Sequence, residues 1–232
     1  MRGKLLVALI ACGTLAGPLL GAESTPPEGF AALFNGEDFT GWEGKGNPKG
    51  KPTKDWRDHW KTEDGVIHFD GKGPHLWTTE SFKDFVLLVD WRFPKPGDSG
   101  IYLRGRGKSQ VNIWCNKMGS GEVWGYRTDK NMPEEVRQAC TPKKRADKPV
   151  GEWNTFKIQM KGEVLNVWLN GQHVIVDATL PGVPAEGPIA LQRHGNPIDF
   201  RNIFIKELGD EEGEEAATLE LGPAAPGCAT GT

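Results

Sequence analysis

Between residues 85 and 93 apolar and polar positions alternate. Phe85, Leu87, Val89, Trp91 and Phe93 fall on one side, and Val86, Leu88, Asp90 and Arg92 on the other. Because successive strand residues face opposite ways, the pattern predicts a core strand whose second face turns from apolar to charged along its length. Pro94 and Pro96 end it. The same period returns over Trp153–Met160, with Phe156, Ile158 and Met160 inward and Thr155, Lys157 and Gln159 outward. Lys161-Gly162 then turns the chain, Val164–Leu169 forms a strand, and Asn170-Gly171 is a two-residue type I′ hairpin signal before Gln172–Val176. Trp60–His68 reads as two strands hinged at Asp64-Gly65. Shorter strands are expected at Phe30–Gly36 with a turn into Asp38–Trp42, and at Leu76–Thr79, Ile189–Gln192, Ile198–Phe200 and Ile203–Leu208. Ser81–Asp84 is a turn. Residues 126–150, with Pro133, Pro142 and Pro149 and one helical turn at Glu134–Gln138, read as a covering or functional loop, since structureless connections of this length are uncommon in compact domains.

One stretch departs from the core pattern. Within Asp98–Gly105 the apolar Ile101 and Leu103 oppose Tyr102 and Arg104, and after a glycine-rich break Gln110-Val-Asn-Ile-Trp114 places Gln, Asn and Trp on one face. A strand pair with arginine, amide and indole groups on its exposed side reads as the floor of a polar cleft. Gly119–Gly125 follows it, carrying Glu122.

A dozen or so short strands with Gly/Pro turns imply an all-β fold, a two-sheet antiparallel sandwich and most simply a jelly roll. The 232 residues, 37% hydrophobic with 31 Gly and nine Trp, suit one such domain over 23–208. Residues 1–22 read as a secretory signal: Arg2 and Lys4 precede an apolar run too short and broken for a membrane span. Export to the periplasm or beyond is the expectation, with Leu9-Ile-Ala-Cys12 offering a lipid anchor at Cys12 as the alternative. Residues 209–232 read as a disordered acidic tail. The tail contributes −6 and the leader +2 to a net charge of −3, so the body carries +1. That balance argues against a nucleic-acid partner, and the basic loop 143–148 reads as a solvated one. With Cys12 in the leader and Cys228 in the tail, an exported protein would pair Cys115 with Cys140; two unpaired thiols is the alternative. No cysteine or histidine spacing asks for structural zinc, no cofactor is implied, and a divalent metal stays open without ligand spacing to support it.

Phe34-Asn-Gly-Glu-Asp-Phe-Thr-Gly-Trp42, Ser99-Gly-Ile-Tyr-Leu-Arg104, Gly151-Glu-Trp-Asn154, Trp168-Leu-Asn-Gly171 and Phe200–Leu208 resemble, in order, the motifs of the 3-keto-disaccharide hydrolase domain family, once called DUF1080. The resemblance runs from about Gly29 to Leu208. It implies a concanavalin-like jelly roll and a carbohydrate partner, with cleavage of glycosides oxidised at carbon 3. The sequence departs from the family where Gln110-Val-Asn112 replaces the commoner Glu-x-Gln, and where Glu122 stands in place of the common Ala.

A ketone on carbon 3 acidifies the hydrogen on carbon 2. The glycosidic bond can then break by β-elimination, which needs a base, a donor for the enolate oxygen and an acid for the leaving group. Ordinary glycosidases instead use two opposed carboxylates. The catalytic candidates are Arg104 as the enolate or hydroxyl clamp, Glu122 as the base and His194, in Gln192-Arg-His-Gly-Asn196, as the acid or a metal ligand. Their bland counterparts are a strand-face arginine paired with Asp90, an exposed loop carboxylate and a turn histidine. Candidates for holding the sugar are Asp90, Tyr102, Gln110, Asn112 and Gln192, with Trp114 and Trp124 as stacking surfaces. Asp98 reads as a turn cap, and Trp91 and Trp168 as core. Because Gln110 and Asn112 are neutral, the cleft floor is expected to hold a sugar while proton transfer comes from elsewhere. A lectin-like glycan-binding module is the alternative function.

Overall fold

The structure, a computed structural model, describes residues 25–209. The leader with Cys12, and the tail from residue 210 with Cys228, lie outside the described residues. Two antiparallel sheets form the molecule. The first has eight strands: β3 (Trp60–Glu63), β4 (Val66–Phe69), β6 (Phe85–Arg92), β9 (Asn154–Lys161), β10 (Val164–Leu169), β11 (Gln172–Thr179) and β13 (Ile198–Glu207) lie in the order β11-β10-β9-β6-β13-β4-β3, with β1 (Ala31–Ala32) added to β13. The second has five strands in the order β2 (Trp42–Lys45), β5 (His75–Thr78), β12 (Ala190–Leu191), β7 (Asp98–Leu103) and β8 (Arg106–Trp114). A 3-10 turn at Trp56–Asp58 and the helices α1 (Trp124–Arg127) and α2 (Glu134–Ala139) complete it. This is the two-sheet jelly-roll sandwich that the alternating pattern implies.

The core lies between the sheets. Phe85, Leu87, Val89 and Trp91 of β6, with Phe156, Ile158 and Met160 of β9, meet Ile101 and Leu103 of β7 and Val111 and Ile113 of β8, all almost fully buried. Interleaving inner faces of this kind fill a sandwich about 10 Å thick. Both hairpins expected from sequence form. Asn170 and Gly171 take φ of 51° and 77°, as a type I′ turn requires. Ile198–Phe200 and Ile203–Leu208 prove to be one strand, β13, irregular between Arg201 and Phe204, where Asn202 enters the left-handed region.

Two expectations are corrected. Trp168 is not in the core: it lies on the outer face of the large sheet, stacked on His173 at 4.1 Å with the Lys157 ammonium over it. Its partners in the register, Lys157 and His173, are outward residues, so strand parity decides its side. Cys115 and Cys140 are both free thiols, one exposed and one buried. Cys140 ends α2 against the core, and burial pushes its thiol up to about 12.

Candidate functional site

The small sheet keeps its apolar residues inward and presents polar and aromatic ones outward. Strand register sorts these into rows. Glu43, Trp77, Ala190, Tyr102 and Gln110 line up across β2-β5-β12-β7-β8. In the next row Lys45 opposes His75, and Gly100 opposes Asn112. Gln192 reaches that row through its backbone N–H, which donates to the Gly100 carbonyl at 2.8 Å. Residues 121–123 extend the sheet past β8. Asn112 N–H donates to the Glu122 carbonyl and Gly121 N–H to that of Asn112, which puts Glu122 beside Asn112. The third row pairs Asp98 with Trp114.

The amides of this face are tied to one another. Gln110 Nε2 donates to Asn112 Oδ1 at 2.6 Å and to Gln192 Oε1 at 3.0 Å, and Gln192 Nε2 donates to the Tyr102 hydroxyl at 2.9 Å. Asn112 Nδ2 donates to Glu122 Oε1 at 3.1 Å, while Arg127 Nε binds the other Glu122 oxygen. Glu122 is thus fully buried and has a donor on each carboxylate oxygen. A network satisfied in this way holds its geometry, because each buried polar atom would be costly to free. Gly100 makes room for it: a Cβ there would stand 2.8 Å from Gln110 Cγ.

At the end of the face Asp98 Oδ2 lies 3.8 Å from Nδ1 of the half-exposed His194. Burial raises the Asp98 carboxyl above the usual carboxylate range. His194 opposes that shift and Glu122 adds to it. Asp98, Glu122 and His194 therefore share one electrostatic neighbourhood.

Arg104 lies elsewhere. It is not on the strand face: with φ of 49°, followed by Gly105 at 70°, it occupies the first central position of the β7–β8 turn. Its guanidinium, buried to 2% exposure, donates to Asp84 Oδ1 at 2.8 Å and to the carbonyls of Gly162 and Pro184. Six residues of extended chain, roughly 20 Å, separate it from Asp98. Asp90 is also remote from the face. It is on the outer side of the large sheet, where it accepts from Thr155, Arg201 and Asn202, and it is not the partner of Arg104. Trp114 is half-buried, its indole N–H bound to the Gly119 carbonyl, and Trp124 is 48% exposed at the start of α1. In the sequence Asp98 reads as a turn cap, and His75, Trp77, Arg127 and Arg193 carry no motif that marks a site. The alternation His75-Leu-Trp77 was the available signal, but only the register shows that it shares a face with Tyr102.

A cavity of about 270 Å³ lies apart from this face, lined by Trp91, Phe93, Cys115, Lys117, Arg145 and Asp147 among others. Asp147 is already bound there by the N–H and hydroxyl of Ser120, so the polar face is the better candidate site. Among the described residues no three His, Cys, Asp or Glu side chains gather into a metal cluster, and no helix is long and apolar enough to cross a membrane.

An antiparallel jelly-roll sandwich with one amide-floored, aromatic-edged sheet face is the class of protein these observations define. Residues 29–206 match the model of the 3-keto-alpha-glucoside-1,2-lyase-like domain, and the chain belongs to that family. A 3-keto-disaccharide hydrolase of Bacteroides thetaiotaomicron is 26% identical, the alignment covering 78% of this chain and 79% of that protein. Two solved structures of candidate glycosyl hydrolases from Parabacteroides distasonis, each 24% identical, share the fold. One has a TM-score of 0.57 over 78% of this chain and 95% of its own, and the other 0.52 over 77% and 99%.

Proposed function

We propose that this chain is a carbohydrate-active enzyme that cleaves the glycosidic bond of sugars oxidised at carbon 3. Asp98 is the base that takes the proton from carbon 2. The electron pair left behind forms the enolate of the 3-ketone, then returns to expel the oxygen from carbon 1 as the carbon 1–carbon 2 double bond forms. His194 protonates the departing oxygen, and addition of water across the double bond completes a net hydrolysis. Family membership and the relatives' names support the substrate class. The observation that carries the mechanism is the Asp98–His194 pair, a carboxylate shifted upward beside a half-exposed imidazole, at the open end of a face whose amides are already fixed. A carboxylate with raised pKa is a stronger base than an ordinary one. Glu122, the base expected from sequence, has both oxygens occupied and is assigned instead to holding Arg127 and Asn112 in place.

Incubation with a panel of 3-keto-glucosides beside their unoxidised parents tests the proposal. Release of the leaving group from the keto series alone is expected, with Asp98→Asn slower by about 10²–10⁴. The rate should fall as pH drops through the raised Asp98 pKa, since protonation removes the base. Turnover of unoxidised sugars only would defeat the elimination scheme, and binding without turnover would make the chain a lectin-like module.

A further inference from the structure

We propose that His75 is the hydrogen-bond donor this face offers to a carbonyl or enolate oxygen of the bound sugar, through an imidazole locked in its neutral Nε2–H form. The inference rests on the 3-keto-glycoside reading and adds a residue to it.

Geometry settles the tautomer. The backbone N–H of Arg193 donates to His75 Nδ1 at 3.0 Å. A backbone N–H can only donate, so Nδ1 carries the lone pair and the ring proton sits on Nε2. A second proton on Nδ1 would break this bond and set two N–H groups against each other. The ring is also held in orientation, 5.0 Å from Tyr102 and edge-on to Trp77 at 6.2 Å between centroids. Nothing among the described residues bonds Nε2.

The charged and titratable surroundings favour the neutral ring. Lys45 faces His75 directly across the β2–β5 pair, with Glu43 bound to that lysine, while Arg193 follows in the next loop and Tyr102 packs on the ring. Burial, then the charge of Arg193, push the imidazole down to about 4. A fixed neutral donor strengthens its bond as negative charge grows on the acceptor, with no reorganisation and no proton to lose, which is what a developing enolate requires. Arg104, the residue read from sequence as the enolate clamp, is committed to Asp84 about a strand's length away. His75 fills the role that this leaves open.

Long-range nitrogen NMR on uniformly nitrogen-15-labelled protein, which reports the His75 ring, the Gln192 side-chain amide and the Tyr102 backbone amide together, tests the assignment directly. His75 is expected as the Nε2–H tautomer, with no titration between about pH 5 and pH 8. A ring that titrates near its ordinary value, or that is protonated on Nδ1, overturns the proposal. The binding probe is 1,5-anhydro-3-keto-glucitol, which carries the ketone but no aglycone to expel. Its addition should shift Nε2 of His75, and the unoxidised anhydroglucitol should shift it less. If Tyr102 and Gln192 respond while Nε2 does not, the His75 inference fails and the substrate reading stands. If nothing on the face responds, the substrate reading fails and takes the inference with it. In turnover, His75→Gln keeps an N–H donor and should lose less than about tenfold in kcat. His75→Leu should lose about 10²–10³ with KM little changed. Equal losses in both folded variants would mean packing alone and would also overturn the proposal.

Discussion

Arg104 shows how a single residue can be read correctly in type and wrongly in place. Its position after Ile101-Tyr-Leu103 suggests the outward face, but Gly105 offers a two-residue turn, and type I′ geometry takes both residues to positive φ. The side chain then leaves the face. Its guanidinium ties the β7–β8 turn to Asp84 before β6 and to the β9–β10 turn at Gly162, so it fastens the small sheet to the large one. Replacing it with Met strands the Asp84 carboxylate, whose side chain is only 13% exposed. Arg104→Met should therefore destabilise the fold by about 3–5 kcal/mol in urea titration, with the activity of the remaining folded protein unchanged. Lost activity at parental stability would return Arg104 to the site. Glu122 is the converse case. Its buried place beside Asn112 follows from a bridge between Val111 and Val123 that no local pattern announces.

Among the elements, α1 and β8 together fix the closed end of the site. Helix α1 is one turn long, Val123 gives it no side-chain cap at the N-terminus and the Thr128 hydroxyl donates to the Trp124 carbonyl at its C-terminus, so most of its stability comes from packing. Gly125 allows that packing: a Cβ there would stand about 2.5 Å from Lys108 Cα, against backbone that cannot yield. Gly125→Ala is expected to push α1 off β8, withdraw Arg127 from Glu122 and cost about 1–3 kcal/mol, with a loss of sugar binding visible by calorimetry. Wild-type stability and binding in this variant would show that the helix is not held there by close contact. The sequence marks this region with Gly119-Ser-Gly and Gly125, which signal irregular backbone, yet nothing in the tetrapeptide Trp124–Arg127 distinguishes a helical turn from a loop. In β8 a register shift opposite Tyr102 and Leu103 is held by Ser109, whose hydroxyl donates to the Leu103 and Arg106 carbonyls. The bulge lets Gln110 and Asn112 share the outward face.

For the molecule as a whole, the sandwich does without a bridge between Cys115 and Cys140. Thiol-reactive labelling followed by mass spectrometry should modify Cys115 in the native protein and reach Cys140 only after unfolding, given burial and a thiol pushed up to about 12. Loss of both labels until a reductant is added would restore the disulfide expected from sequence. Amino-acid order alone determined the two-sheet class, both tight hairpins, the core of β6 and β9, and the family, because each depends on periodicity, turn residues or motifs that are local in the chain. Only the tertiary structure decided which outward residues share a face. The pairings of Lys45 with His75 and Gln192 with Gly100 join segments far apart in sequence, that of Asn112 with Glu122 depends on how the intervening loop folds back, and the parity that sends one residue outward cannot say which residue it will meet. Tyr102, Gln110 and Asn112 do share one polar face, and the register adds Asp98, His194 and His75 to it, the residues proposed above for proton transfer and for the carbonyl donor.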